Sequence, residues 1–265
     1  MHRAFGNIAR RERVHVHIFS KSIRYFGSHS DLREHISWPK GGGLVHRLAT
    51  IDSSVTVEVG AIIHDYAEVG PHSHIGSGTV IGSHARIGSH TKLWYNVSLQ
   101  NSYVGDHCII HPGVCIGQDG FGFFVDEEGN VRKKPQMLQV NIGNHVEIGA
   151  NSCVDRGSWR NTVIGDHTKI DNQVQIGHNV IIGCCCMICG QVGLGGSCTV
   201  GDFVVLGGKV GVADHVSIVS KVKVAAKSGV TRDITRPGDY AGFPAVPVAE
   251  WRKKVVHLSK LSRGP

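Results

Sequence analysis

Two histidines stand out by their spacing. His178 lies in "IDNQVQIGHNV" and His215 in "VGVADHVSI", 37 residues apart, with Ser197 between them. A neutral imidazole changes charge near working pH, which suits it to moving a proton during a reaction. On an 18-residue repeat, 37 is two repeats and one residue. Ser197 then falls between the histidines, and the three form a polar line on one face. With rungs roughly 4.8 Å apart, the two imidazoles are expected about 10 Å from each other. Most other histidines, as in "GSHARIGSH", read as solvated turn residues.

The eight cysteines suggest less. Cys186-Met187-Ile188-Cys189 has the spacing of half a zinc knuckle, but no matching second pair follows. Cys108, Cys186 and Cys198 fall at positions expected to point inward, where cysteine acts as a small hydrophobe. No metal and no cofactor are expected. No nucleophile elbow, Walker loop or dinucleotide fingerprint is present, and "GLGGS" at 193–197 reads as a repeat turn.

The elements that must position these groups are set by a six-residue period. Aliphatic residues recur at Ile51, Val57, Ile63, Val69, Ile75 and onward to Leu99, and again from Ile164 through Val230. Two residues before each aliphatic the side chain is small or β-branched, as at Ala61, Ala67, Val174 and Val180. Positions two apart on a strand share a face, so both point inward. The residue after the aliphatic is often glycine, expected to supply a turn geometry that other residues avoid. A hexapeptide period of this kind marks a parallel β-helix. The repeats predict an all-β fold of about nine coils over 51–235. Residues 118–141 break the period and are expected to project as a loop; 158–161 form a smaller bulge. Residues 236–265 form a C-terminal extension with one short basic helix.

The formal charge of +7 is uneven. The first fifty residues and the last 65 are basic, whereas 51–200 hold more acids than bases. A nucleic-acid binder would carry its cations through its body, so no nucleic acid is expected. No apolar stretch is long enough for a membrane-spanning helix. Residues 1–30 are arginine-rich and nearly free of acids, and Arg24-Tyr25-Phe26 resembles a processing site. They read as a mitochondrial transit peptide, with a cytoplasmic location as the alternative, and 31–50 as a linker or residual N-terminal segment.

The segments "IGQDGFGF" (116–123), "VDRG" (154–157), "IDNQVQIGHNV" (170–180) and "RPGDYAGFPAVP" (236–247) resemble the UDP-3-O-(3-hydroxyacyl)glucosamine N-acyltransferases of the lipid A pathway, in the plant-type mitochondrial form. The resemblance implies left-handed winding and a homotrimer with sites between subunits. It implies transfer of a fatty acyl chain from acyl carrier protein to the 2-amino group of UDP-3-O-acylglucosamine. His178 corresponds to the general base and His215 to a supporting histidine. Asn179 and Ser197 are implied as substrate contacts, and Asp119 and Phe121 as part of a loop reaching a neighbouring subunit. The basic end, with Lys209, Lys221, Lys223, Lys227, Arg232 and Arg236, suits an acidic carrier protein. The family's bacterial members also carry a uridine-binding domain before the β-helix, which the residues preceding Ile51 do not match. The alternatives are a non-catalytic scaffold of the same fold and a γ-type carbonic anhydrase. The latter needs two histidine ligands five residues apart, and no two histidines here have that spacing.

Overall fold

The computed structural model describes residues 34–261; the expected transit segment lies outside the described residues. Short strands, most of two residues, stack in register into sheets of 11, 11 and 9 strands that close a prism. Within each body strand one residue points out and the following aliphatic points in, as in His74–Ile75 and Lys92–Leu93. The inward column of Ile63, Ile75, Leu93, Ile110, Ile164 and their repeats is almost completely buried. The second inward position, two residues earlier, is equally closed at Ala61, Val97 and Cys186. The two inward phases read from the sequence are therefore the core. Burial pushes the Cys108, Cys186 and Cys198 thiols up, which keeps them protonated packing groups.

The stack runs to about 11 turns rather than the expected nine. The additional rungs lie at the ends. Leu44–His46, read as linker, already pairs in parallel with Ile62–Ile63. At the other end Gly238–Ala241 pairs with Val222–Val224. At each end one of the three sheets is capped by a reversal of direction. His35–Ser37 returns antiparallel on Leu44–His46, and Val246–Pro247 returns antiparallel on Gly238–Ala241. The helix Val248–Leu261 follows, packed against those last two strands.

The turns correct the explanation offered for glycine. Apart from Gly117, the glycine after each aliphatic is not the left-handed residue. That geometry falls two positions later, at His72, His84, His90, Asn96, Asn179 and their equivalents. Asn and His accept positive φ better than most side chains, and this accounts for the abundance of histidine. Glycine is instead required by close approach of the next rung. A Cβ built on Gly70 would stand 2.8 Å from the carbonyl carbon of Gly88. The turn histidines are also not simply solvated. His72, His90, His107, His145 and His167 stack face to face at 4.7–4.9 Å along one edge.

Residues 119–139 leave the prism, slightly less than the expected 118–141, and they carry an antiparallel hairpin, Phe123–Val125 with Val131–Lys133, that the period could not show. Its apolar residues Phe121, Phe124 and Val131 are exposed. The stack resumes in register beyond it, with Cys115 opposite Cys153.

Candidate active site

A cleft of about 690 Å³ opens between the root of the hairpin loop and one sheet of the prism. His178, His215, Asp119 and Phe121 all line it. Asn179 and Ser197 do not. They lie behind His178, nearly buried, and their side chains are engaged with the protein. Of the residues the resemblance implied as substrate contacts, these two brace His178 from behind and do not face the cleft.

The reason is a one-residue offset. Asn179, Ser197 and His215 form one column of left-handed turn residues, 18 apart. His178 precedes that column by one, and what stacks on it in the next rung is Gly196. The expected line of His178, Ser197 and His215 is thus two adjoining columns that meet at one cleft.

Three features hold His178. Its ring lies between two glycines: a Cβ built on Gly196 would be 2.7 Å from Cε1, and one on Gly120 would be 2.9 Å from Cδ2. No larger residue at 120 or 196 leaves the imidazole where it is. Nδ1 is 2.7 Å from Nδ2 of Asn179. Asn179 is in turn fixed by the 158–161 bulge, whose Ser158 N–H donates to Oδ1 at 2.7 Å. Arg160 ties that bulge down, donating from Nε to the Asn179 carbonyl at 2.6 Å and from Nη2 to the Ser197 carbonyl at 2.9 Å. The sequence marked the bulge only as a break in period; it is a clamp on the turn that carries His178. Asn179→Ala is expected to lower stability by about 1–3 kcal/mol, because it orphans buried bulge donors. Urea denaturation measures this, and an unchanged midpoint would show that the bulge does not depend on Asn179.

Two acids differ sharply. Asp119 is exposed and forms an ion pair with Lys133, with Arg156 Nη1 at 3.9 Å. Asp155 is 8% exposed and lines the cleft beside His178. It arises at a register shift between Ile116 and Gln118, which turns Gln118 toward it. Gln118 Nε2 donates to one carboxylate oxygen at 2.8 Å and Gln175 Nε2 to the other at 3.2 Å. Burial raises the Asp155 carboxyl above the usual carboxylate range, and the two amides partly offset this. Sequence reasoning quoted "VDRG" but gave Asp155 no role. Its depth follows from the bulge, which leaves no trace in the period.

From the cleft the same sheet presents Gly193, Gly211 and Gly229 in successive rungs. A Cβ built on Gly193 or Gly211 meets nothing within 4 Å, so the surface there is bare backbone. The strip ends where the Phe243 ring covers Gly229. An imidazole, a buried carboxylate and an apolar strip together suit proton transfer on a polar group carried next to a chain.

Residues 60–93 match the family model described as "Bacterial transferase hexapeptide (six repeats)". The chain is 64% identical over 162 residues to "Probable UDP-3-O-acylglucosamine N-acyltransferase 2, mitochondrial" of Arabidopsis thaliana, covering 61% of this chain and 53% of that protein. It is 52% identical over 242 residues to the UDP-3-O-acylglucosamine N-acyltransferase of Bradyrhizobium diazoefficiens, covering 89% of this chain and 68% of that protein. The crystal structure of the UDP-N-acetylglucosamine acyltransferase of Francisella novicida superposes with a TM-score of 0.60 at 26% identity, covering 77% of this chain and 69% of that one. The chain spans 53% and 61% of the length of two of the curated relatives it matches.

Proposed function

Since the chain belongs to the UDP-3-O-acylglucosamine N-acyltransferase family, we propose that it transfers a 3-hydroxyacyl chain from acyl carrier protein to the 2-amino group of UDP-3-O-acylglucosamine, a step in lipid A precursor synthesis. The observation that carries this reading is His178, held rigidly in the cleft between Gly120 and Gly196 at the head of the bare glycine strip.

The amine nitrogen attacks the thioester carbonyl and the C–N bond forms. His178 takes the proton that the nitrogen loses. Negative charge gathers on the carbonyl oxygen. The Gly196 N–H, which donates to no backbone carbonyl among the described residues, is available to receive it. The C–S bond then breaks, and the proton on His178 passes to the leaving thiolate. The acyl chain lies along Gly193 and Gly211 toward Phe243, a run of two rungs beyond Gly193 or roughly 10 Å. His215, exposed on the adjoining column, faces the same cleft as a substrate contact, and Asp119 and Phe121 stand at its mouth.

The exposed Phe121, Phe123 and Phe124 of the hairpin support a homotrimer in which this loop covers a neighbouring subunit. Lys209, Lys221, Lys223, Lys227, Arg232 and Arg236 gather at the C-terminal end, which supports docking of an acidic carrier protein there. The name of the Arabidopsis relative supports a mitochondrial location.

The test is transfer of a labelled 3-hydroxyacyl chain from its carrier protein. Formation of the doubly acylated, N-acyl product is expected with the amine acceptor. A purified, folded chain that gives none would favour the scaffold reading instead.

A further inference from the structure

Among the described residues, one carboxylate in the cleft makes no ion pair with a Lys or Arg. Asp155 is more than nine-tenths buried, yet its only hydrogen-bond partners among the described residues are the neutral amides of Gln118 and Gln175. The cations nearby in the chain are committed elsewhere. Lys133 pairs with Asp119, and Arg156 donates from Nε to the Leu138 carbonyl at 2.6 Å. The other charged groups lining the cleft are Asp214, which adds negative charge, and the histidines 178 and 215. A buried carboxylate without a counter-charge is costly, and sites retain one where a ligand completes it.

We propose that Asp155 is the acceptor-recognition residue of this cleft, its carboxylate binding the ammonium of an amino-sugar acceptor before the nitrogen passes its proton to His178. The proposal rests on the N-acyl transfer reading above and adds to it the group that distinguishes an amine from a hydroxyl. An amino sugar arrives largely protonated near neutral pH, and an ammonium has three donors and no acceptor, the complement of a carboxylate. The carboxylate oxygens are turned to the cleft by Gln118 and Gln175, one amide to each. Binding the cation restores electrical balance in the cleft. Loss of one proton to solvent leaves a neutral amine, still donating to Asp155 and now with a lone pair for attack; the proton that nitrogen sheds as the C–N bond forms is the one His178 takes.

A purely structural role predicts a different outcome. Because burial raises the Asp155 carboxyl, folding favours its neutral form, and the free protein loses stability as pH rises from the ordinary carboxylate value through the raised one. Asp155→Asn removes that cost. Its unfolding temperature at neutral pH is expected to equal or exceed that of the wild type, whereas loss of a structural hydrogen-bond hub would lower it.

The experiment compares two acceptors, UDP-3-O-acylglucosamine and its 2-hydroxyl counterpart UDP-3-O-acylglucose, with labelled acyl carrier protein as donor. The wild type is expected to bind the amine at least about tenfold more tightly than the hydroxyl analogue, since a site built around a charged partner rejects its neutral isostere. In Asp155→Asn that preference collapses, KM for the acceptor rises about tenfold or more, and KM for the donor stays unchanged. Asp155→Glu keeps the charge and is expected to keep part of the preference. Equal binding of the two acceptors by the wild type overturns the proposal without any variant having to fold. So does an Asp155→Asn enzyme with unaltered discrimination. A wild type that transfers to neither acceptor refutes the N-acyl transfer reading itself, and is distinguishable from both.

Discussion

His178→Ala is expected to lower acyl transfer by about 10²–10⁴-fold, the usual contribution of a positioned proton-transfer group. The fold is expected to survive. The imidazole is half-buried at the surface of the prism and contributes nothing to the inward columns. Its partner Asn179 keeps the Ser158 and Ser197 hydroxyls after the ring is gone. The loss should fall on kcat more than on either KM, since the proton moves only as the C–N bond forms. Residual activity within a few-fold of wild type would remove His178 from the reaction and with it the main support for the proposed mechanism. Circular dichroism and thermal melting of the same preparation guard against misfolding as the cause.

A nearly equal loss is expected from Gly196→Ala, a change of one methyl group that removes no titratable group. The added carbon would stand 2.7 Å from Cε1, 2.8 Å from Nε2 and 3.2 Å from Nδ1 of His178. The backbone cannot retreat, because Ser197 N–H is bonded to the His178 carbonyl at 2.8 Å and Gly195 N–H to the Val212 carbonyl at 2.9 Å. The ring cannot retreat toward Gly120, which already lies against its other side. It must therefore rotate off its position. Displacement of a reacting group by about 1 Å costs on the order of 10² in rate. Gly208→Ala is the control, since a Cβ there meets only the Gly190 carbonyl at an ordinary 3.5 Å. If Gly196→Ala retains full kcat while Gly208→Ala behaves as wild type, the imidazole is not clamped as described.

The contrast between those two glycines shows where sequence reading reaches and where it stops. The hexad period identified the inward columns, the projecting loop and the bulge, because burial imposes the same demand at every rung. It also brought His178 and His215 to within one column of each other. It could not separate Asn179 and Ser197, which lie behind the ring, from Gly120, Gly196 and Asp155, which lie beside it. That distinction depends on side-chain alternation at a single residue, on the register shift at Gln118, and on how an aperiodic loop folds back over the sheet. Arg160 was invisible for the same reason: its three carbonyl contacts and one hydroxyl contact reach residues 19 to 39 positions away. The glycines after each aliphatic were recognised as necessary, but the reason was misassigned to conformational freedom, because a one-dimensional pattern does not show how closely the next rung approaches.

The reversals of chain direction at the two ends of the prism bear on solubility. A stack of in-register parallel rungs presents at each end a row of unpaired amides and carbonyls ready to accept another strand, including one from a second molecule. Left open, such ends would template end-to-end polymerisation. The antiparallel strands His35–Ser37 and Val246–Pro247 each cover the edge of one of the three sheets with the wrong polarity for a further rung, and Pro247 removes one donor outright. The repeat itself contains no instruction to stop, so on one sheet at each end it is an antiparallel terminal strand that interrupts a potentially endless stack.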